Sequence, residues 1–180
     1  KSPNHYDYKN YRHSPQFVKA KFKEMGWEKI IAFQTRNPLH KAHVEMISRS
    51  MKGLGASLLL HPVVGLTKPG DIDHYTRVRC YEHVIKKYPE KTAMLSLLPL
   101  AMRMGGPREA LLHAIVRKNF GCTHIIIGRD HAGPGNDKNG NPFYDAYGAQ
   151  NLLKTYEDEI GIKMVPFKFM VYLPNQKKYK

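Results

Sequence analysis

The chain has 180 residues, 42% of them hydrophobic, which suffices for one sound core and makes a single main domain the expectation. It holds no run of eighteen apolar residues and no signal-peptide pattern, so neither a membrane span nor secretion is expected, and a cytoplasmic location follows. The formal charge of +14 invites a nucleic-acid partner, but residues 1–30 hold seven basic groups against three acidic ones and residues 161–180 hold five against none. Most of the excess therefore sits at the two ends without any motif that reads RNA or DNA, and nucleic acid is not an expected partner.

Residues 1–13, rich in Tyr, Asn and His without a period, read as an extended lead-in. Ser14-Pro15 starts a short helix with Phe17, Phe22 and Met25 on its apolar face and Gly26 at its end. Lys29–Phe33 is continuously apolar after its first residue, the pattern of a strand buried on both faces. After Gln34-Thr35-Arg36, Asn37 is a cap candidate and Pro38 suits a first helical turn, so a helix is predicted over about 39–52, ending near Gly53. His40 and His43 then share one side of its first turn. A helix start just beyond a buried strand favours an anion.

Ser57–Val64 is the second predicted strand, followed by the Gly65–Asp71 loop and a helix over 73–87 that carries Arg77 and Arg79. Thr92–Leu98 is the third strand. Pro107 opens a helix through Asn119, closed by Gly121, and Thr123–Ile127 is the fourth strand. It runs into Gly128-Arg129-Asp130-His131-Ala132-Gly133-Pro134-Gly135. After a polar insert, Asn136–Tyr144, a helix is expected over 145–159 and a fifth strand over Lys163–Phe169. This alternation predicts an α/β fold of Rossmann-like type, a parallel sheet of about five strands flanked by helices, with ligands at the carboxyl ends of the strands. Both long loops follow apolar strands, so they should converge at one sheet edge as an oxyanion site of cations and backbone amides. Cys80 and Cys122 lack a C-x-x-C spacing, fit a reducing compartment and read as small core residues.

Gln34-Thr35-Arg36-Asn37-Pro38-Leu39-His40-Lys41-Ala42-His43, followed by the Gly128–Gly135 run, resembles the ATP sulfurylase (sulfate adenylyltransferase) family. The likeness continues through Val64–Asp71, Arg103-Met104-Gly105-Gly106-Pro107-Arg108-Glu109-Ala110 and Pro166-Phe167 to Tyr172-Leu173-Pro174, in the family's order. It implies a Rossmann-like nucleotidyltransferase domain that transfers AMP from MgATP to sulfate by in-line attack, giving adenosine 5′-phosphosulfate and pyrophosphate. It further implies that Gln34 and Arg36 hold sulfate with the backbone at Ala132. Thr35 and Asn37 would contact the nucleotide phosphates, and His40 and His43 would steady the departing pyrophosphate. Arg129 would span the phosphosulfate, the Gly128–His131 backbone, through Asp130, would meet the nucleotide, and main chain near Val171 would approach adenine. Mg²⁺ is expected to arrive with ATP, no protein-bound metal is expected, and the full-length protein is expected to be a homo-oligomer.

Plainer readings remain open from the residues themselves. Thr35 and Asn37 could be turn and cap residues only, and the histidine pair could hold a metal, although no cysteine or carboxylate nearby completes a ligand set. Asp130 could orient Arg129 rather than act as a base. Lys68, Asp71, Arg103 and Arg108 could be solvated, paired with acids or bases, or in contact with substrate. His61, His113 and His124 read as satisfied structural histidines. The resemblance divides the chain into a lead-in and short helix (1–27), a catalytic domain (28–172) and the start of a following segment (173–180), a piece of a longer family plan. An adenylyltransferase with a phosphorylated small-molecule acceptor, and a non-enzymatic anion- or nucleic-acid-binding module, are the competing functions.

Overall fold

The computed structural model describes residues 7–65, 70–166 and 171–179. Helix α1, Pro15–Glu24, is capped by the Ser14 side chain, which accepts the Phe17 N–H. Its buried face is Val18 and Phe22, one turn apart, whereas Phe17 is 43% exposed and stacks on His13. The helical phase set by Val18 and Phe22 turns Phe17 outward, contrary to the expected face.

Five strands follow: β1 (Ile30–Phe33), β2 (Ser57–Leu60), β3 (Ala93–Leu95), β4 (His124–Ile127) and β5 (Lys163–Pro166). They form one parallel sheet in the order β3-β2-β1-β4-β5, as the strand–helix alternation requires. Between them run α2 (Lys41–Leu54), α3 (His74–Ile85), α4 (Pro107–Asn119) and α5 (Gly148–Ile160). Register pairs Ile31 with Leu58 on one side of β1 and with His124 on the other. Strand alternation divides the core between two faces. Ile30, Ala32, Leu59, Ile125 and Ile127 pack with Val18, Phe22, Ala110, Ala114 and Leu153 from α1, α4 and α5. Ile31, Phe33, Leu58, Leu60 and Ile126 pack with Met46, Ile47, Val78, Tyr81 and Val84 from α2 and α3.

The second and third strands are shorter than expected because Pro62 has no N–H to give the ladder. Pairing resumes once beyond it, at the parallel bridge Val63↔Leu98. Of the expected fifth strand, residues 167–169 lie outside the described residues. A hairpin of β6 (Tyr172–Leu173) and β7 (Lys178–Tyr179) follows, and Arg49 on α2 donates to the Tyr179 carbonyl at 2.8 Å. Among the described residues no helix is long and apolar enough to cross a membrane.

The chain leaves β1 toward β2 and β3, then returns to the other side of β1 with β4 and β5. The order thus reverses between β1 and β4, where an open α/β sheet leaves a crevice at its carboxyl edge. Close packing beside that edge is tested at Gly65, whose N–H donates to the Leu100 carbonyl at 3.1 Å. A Cβ there would stand 2.5 Å from the carbonyl carbon and oxygen of Leu100 and 2.6 Å from the Ala101 nitrogen, all backbone atoms that cannot swing aside. Gly65→Ala is expected to destabilise the fold by about 1–3 kcal/mol, the usual range for overpacking. Chemical denaturation reads this directly, and an unshifted midpoint would contradict the packing.

Candidate active site

The two loops do converge. One cavity of about 570 Å³ is lined by Gln34, Thr35, Arg36, Asn37, His40 and His43 from the β1–α2 side and by Gly128, Arg129, Asp130, His131 and Ala132 from the loop after β4. Met46, Met102, Met104 and Ile126 supply its apolar wall. Val171 is not among the lining residues; it is 49% exposed, just ahead of β6.

The first loop is shaped by its own hydroxyl and by α3. Thr35 Oγ1 donates to the Asn37 carbonyl at 2.9 Å and accepts the Asn37 N–H at 3.0 Å, closing a tight turn. The buried guanidinium of Arg77 donates from one Nη to the carbonyls of Arg36 (2.9 Å) and Val63 (3.1 Å). The Tyr81 hydroxyl donates to the Asn37 carbonyl at 3.0 Å. These bonds overturn the expected helix start. A cap residue gives its carbonyl to the first helical turn, whereas that of Asn37 is already taken by two hydroxyls. Helix α2 begins instead at Lys41 with His40 as cap, and the His43 side chain reaches back so that its Nδ1 accepts the His40 N–H at 3.5 Å. The two rings lie 3.8 Å apart, as their spacing predicted, and the His43 ring leans on Phe33 at 5.7 Å. Burial, then the neighbouring His40, pushes the His43 pKa down to about 4, so the ring is neutral at pH 7.

Arg36 is not an isolated cation. One of its Nη atoms lies 2.5 Å from both carboxylate oxygens of Asp71, whose side chain is 8% exposed. The pair holds the guanidinium of Arg36, a lining residue of the cavity, in place.

The second loop changes hand repeatedly. Asp130 (φ 49°) and Ala132 (φ 57°) are left-handed although neither is glycine, a strain typical of ligand-binding loops. The Asp130 N–H donates to the Ala146 carbonyl (2.7 Å), and the Ala132 carbonyl accepts from Gly106 (2.8 Å). Among the described residues, the N–H groups of His131 and Ala132 reach no backbone carbonyl, which is the state of amides available to an anion. Arg129 and Asp130 are both exposed and form no ion pair with each other among the described residues, so Asp130 does not orient Arg129 by direct pairing. Burial, then the Arg117 charge, lowers the His131 pKa to about 4.

The other candidates divide. Arg103 and Arg108 are exposed and outside the lining, and Lys68 lies outside the described residues. His124 meets the Thr123 hydroxyl at 2.8 Å, as a structural histidine should. His61 is buried against Phe120, yet both its ring nitrogens lack a partner among the described residues, so it is not satisfied in the expected way. His113, expected to be a satisfied structural histidine, is buried and partnered, and stands behind the cavity 2.8 Å from Gln34 and 3.0 Å from His131. No sequence signal marked it beyond its place one turn after Glu109. Among the described residues no group of three or more His, Cys, Asp or Glu is placed to hold a metal ion.

A family model described as ATP-sulfurylase matches residues 9–180. The chain belongs to the ATP-sulfurylase family. Among curated relatives, a sulfate adenylyltransferase of Schizosaccharomyces pombe is 57% identical over 176 residues, covering 98% of this chain and 36% of that protein. One of Yarrowia lipolytica is 56% identical over 176 residues, covering 98% of this chain and 31% of the relative. The chain thus spans about a third of the length of these family members. A solved structure described as the hexameric APS kinase from Thiobacillus denitrificans aligns with a TM-score of 0.79 at 30% identity, covering 99% of this chain and 32% of that one.

Proposed function

We propose that this chain carries the adenylyl-transfer site of a sulfate adenylyltransferase, in which a sulfate oxygen attacks the α-phosphorus of MgATP in line and pyrophosphate leaves. The observation that carries the reading is the meeting of the β1–α2 and post-β4 loops in one cavity at the sheet's switch point, in a member of this family. Catalysis there needs positioning and donors for developing charge, and no covalent nucleophile.

In this reading Arg36, clamped by Asp71, and the Ala132 N–H receive sulfate, with Gln34 beside them. Thr35 and Asn37 face the nucleotide phosphates, and Arg129 bridges sulfate and α-phosphate. His40 and His43, at the positive end of α2, take the charge that grows on pyrophosphate. The Gly128–His131 main chain meets the nucleotide, and main chain near Val171 approaches adenine. Sulfate is already a dianion, so no base is needed. Magnesium would be held by phosphate oxygens and water, because among the described lining residues Asp130 is the one carboxylate. Residues 28–172 would form the catalytic domain, 1–27 its lead-in and 173–180 the start of a further segment. A homo-oligomer of the full-length, cytoplasmic protein accords with the hexamer named for the structural neighbour.

Oxygen tracing tests the chemistry. With ¹⁸O-labelled sulfate, AMP recovered after hydrolysis of the mixed anhydride by P–O-retaining cleavage is expected to carry one sulfate-derived oxygen. AMP without label would contradict attack at the α-phosphorus.

A further inference from the structure

The Arg103–Ala110 motif lines the cavity only through Met104, yet its Glu109 begins a chain of polar contacts that ends at both loops. The Glu109 carboxylate accepts the backbone N–H groups of Arg103 (2.8 Å) and Gly105 (2.7 Å). One turn along α4, fully buried His113 places Nε2 3.4 Å from Glu109 Oε1. Its Nδ1 lies 2.8 Å from Gln34 Nε2 and 3.0 Å from His131 Nε2, and Gln34 Nε2, nearer to Nδ1, also stands 3.3 Å from the ring's Nε2. Burial, then His131 and Arg117, pushes its pKa down to about 2, so the ring is neutral and carries one N–H.

The partners decide which nitrogen carries it. A carboxylate beside Nε2 calls for a donor there, so Nε2 holds the hydrogen and Nδ1 keeps the lone pair. The Gln34 amide then presents its NH₂, not its oxygen, to Nδ1; the opposite amide orientation would force the Nε2 lone pair against Glu109. His131 brings a second N–H to the same lone pair. One acceptor therefore faces two donors, one from each loop, and both donors line the cavity.

We propose that His113, backed by Glu109, is a positioning residue that couples the two loops: its Nδ1 lone pair holds the Gln34 amide and the His131 N–H at the cavity wall and releases one of them to an incoming oxyanion while keeping the other. The surplus donor becomes available without leaving a buried acceptor unpaired, which is the costly alternative. That the oxyanion is sulfate rests on the adenylyl-transfer reading; the coupling itself does not.

The test uses the intact protein and two substitutions. His113→Phe keeps a flat ring and removes the acceptor, while His113→Asn can return an oxygen acceptor near the Nδ1 position. His113→Phe is expected to lower kcat/KM for sulfate by roughly tenfold to a hundredfold, with KM for ATP within about twofold, and His113→Asn to restore most of the loss. Equal behaviour of the two variants, or equal damage to both substrates, would overturn the proposal, with denaturation curves showing that both fold. Histidine ¹⁵N spectra give a reading independent of activity. An unprotonated Nδ1 and protonated Nε2 at His113 are expected, and a protonated Nδ1 would overturn the coupling. The expected spectrum in a protein with no sulfate-dependent chemistry would instead discard the adenylyl-transfer reading and leave the coupling standing.

Discussion

Arg36→Lys is expected to lower sulfate-dependent turnover by a factor on the order of a hundred or more, although it preserves charge. Arg36 spends one Nη on the Asp71 carboxylate and can still present its remaining N–H donors to two oxygens of a tetrahedral oxyanion. An ammonium has one nitrogen. Asp71 would capture it, and the cavity would lose its forked donor. Removing one preorganised donor to transition-state charge costs about 2.7–4 kcal/mol, which sets the predicted factor. ATP binding should suffer less, since the second loop and the helix end remain. Near-wild-type turnover, measured beside nucleotide titration, would assign Arg36 to general positive potential and move the sulfate site toward Arg129.

His43→Ala is expected to lower turnover by roughly tenfold to a hundredfold with sulfate KM within about twofold. Nδ1 of His43 faces the His40 N–H, which leaves Nε2 to carry the hydrogen and serve as the donor to a leaving group. Burial keeps that donor neutral at working pH. A purely packing role would reverse the pattern, giving an unstable but fully active variant. Stability carries a second signature. The folded pKa lies at about 4, below the ordinary value of 6.5, so the unfolded chain takes up protons first as pH falls. His43 therefore contributes to stability above pH 6.5, and that contribution is lost between pH 6.5 and 4. His43→Ala should show a shallower decline in denaturation midpoint across that window.

The strands and their order along the chain were legible because each is an apolar run of strand length. The sheet's reversal between β1 and β4 then placed both loop motifs at one edge. What the sequence did not show depends on contacts between distant segments. Asp71 is 35 residues from Arg36, and no local period links a carboxylate there to a cation in the first loop. The start of α2 was misplaced because Asn37-Pro38 has the local chemistry of a helix cap, while Tyr81, 44 residues away, takes the carbonyl a cap would need. Strand ends were overrun at Pro62, although a proline within an apolar run was a readable warning. His113 falls between these cases. Its distance of four residues from Glu109 was visible, but its meeting with Gln34 and His131 exists only once α4 lies against the carboxyl edge of the sheet.

Exchange of labelled pyrophosphate into ATP, run on the intact protein with and without sulfate and beside Arg36→Lys, tests the assignment of adenylyl transfer to this cavity. The structure and family together predict exchange that requires sulfate and collapses in the variant. Exchange that proceeds without sulfate, that needs a phosphorylated acceptor instead, or that survives Arg36→Lys unchanged would contradict it.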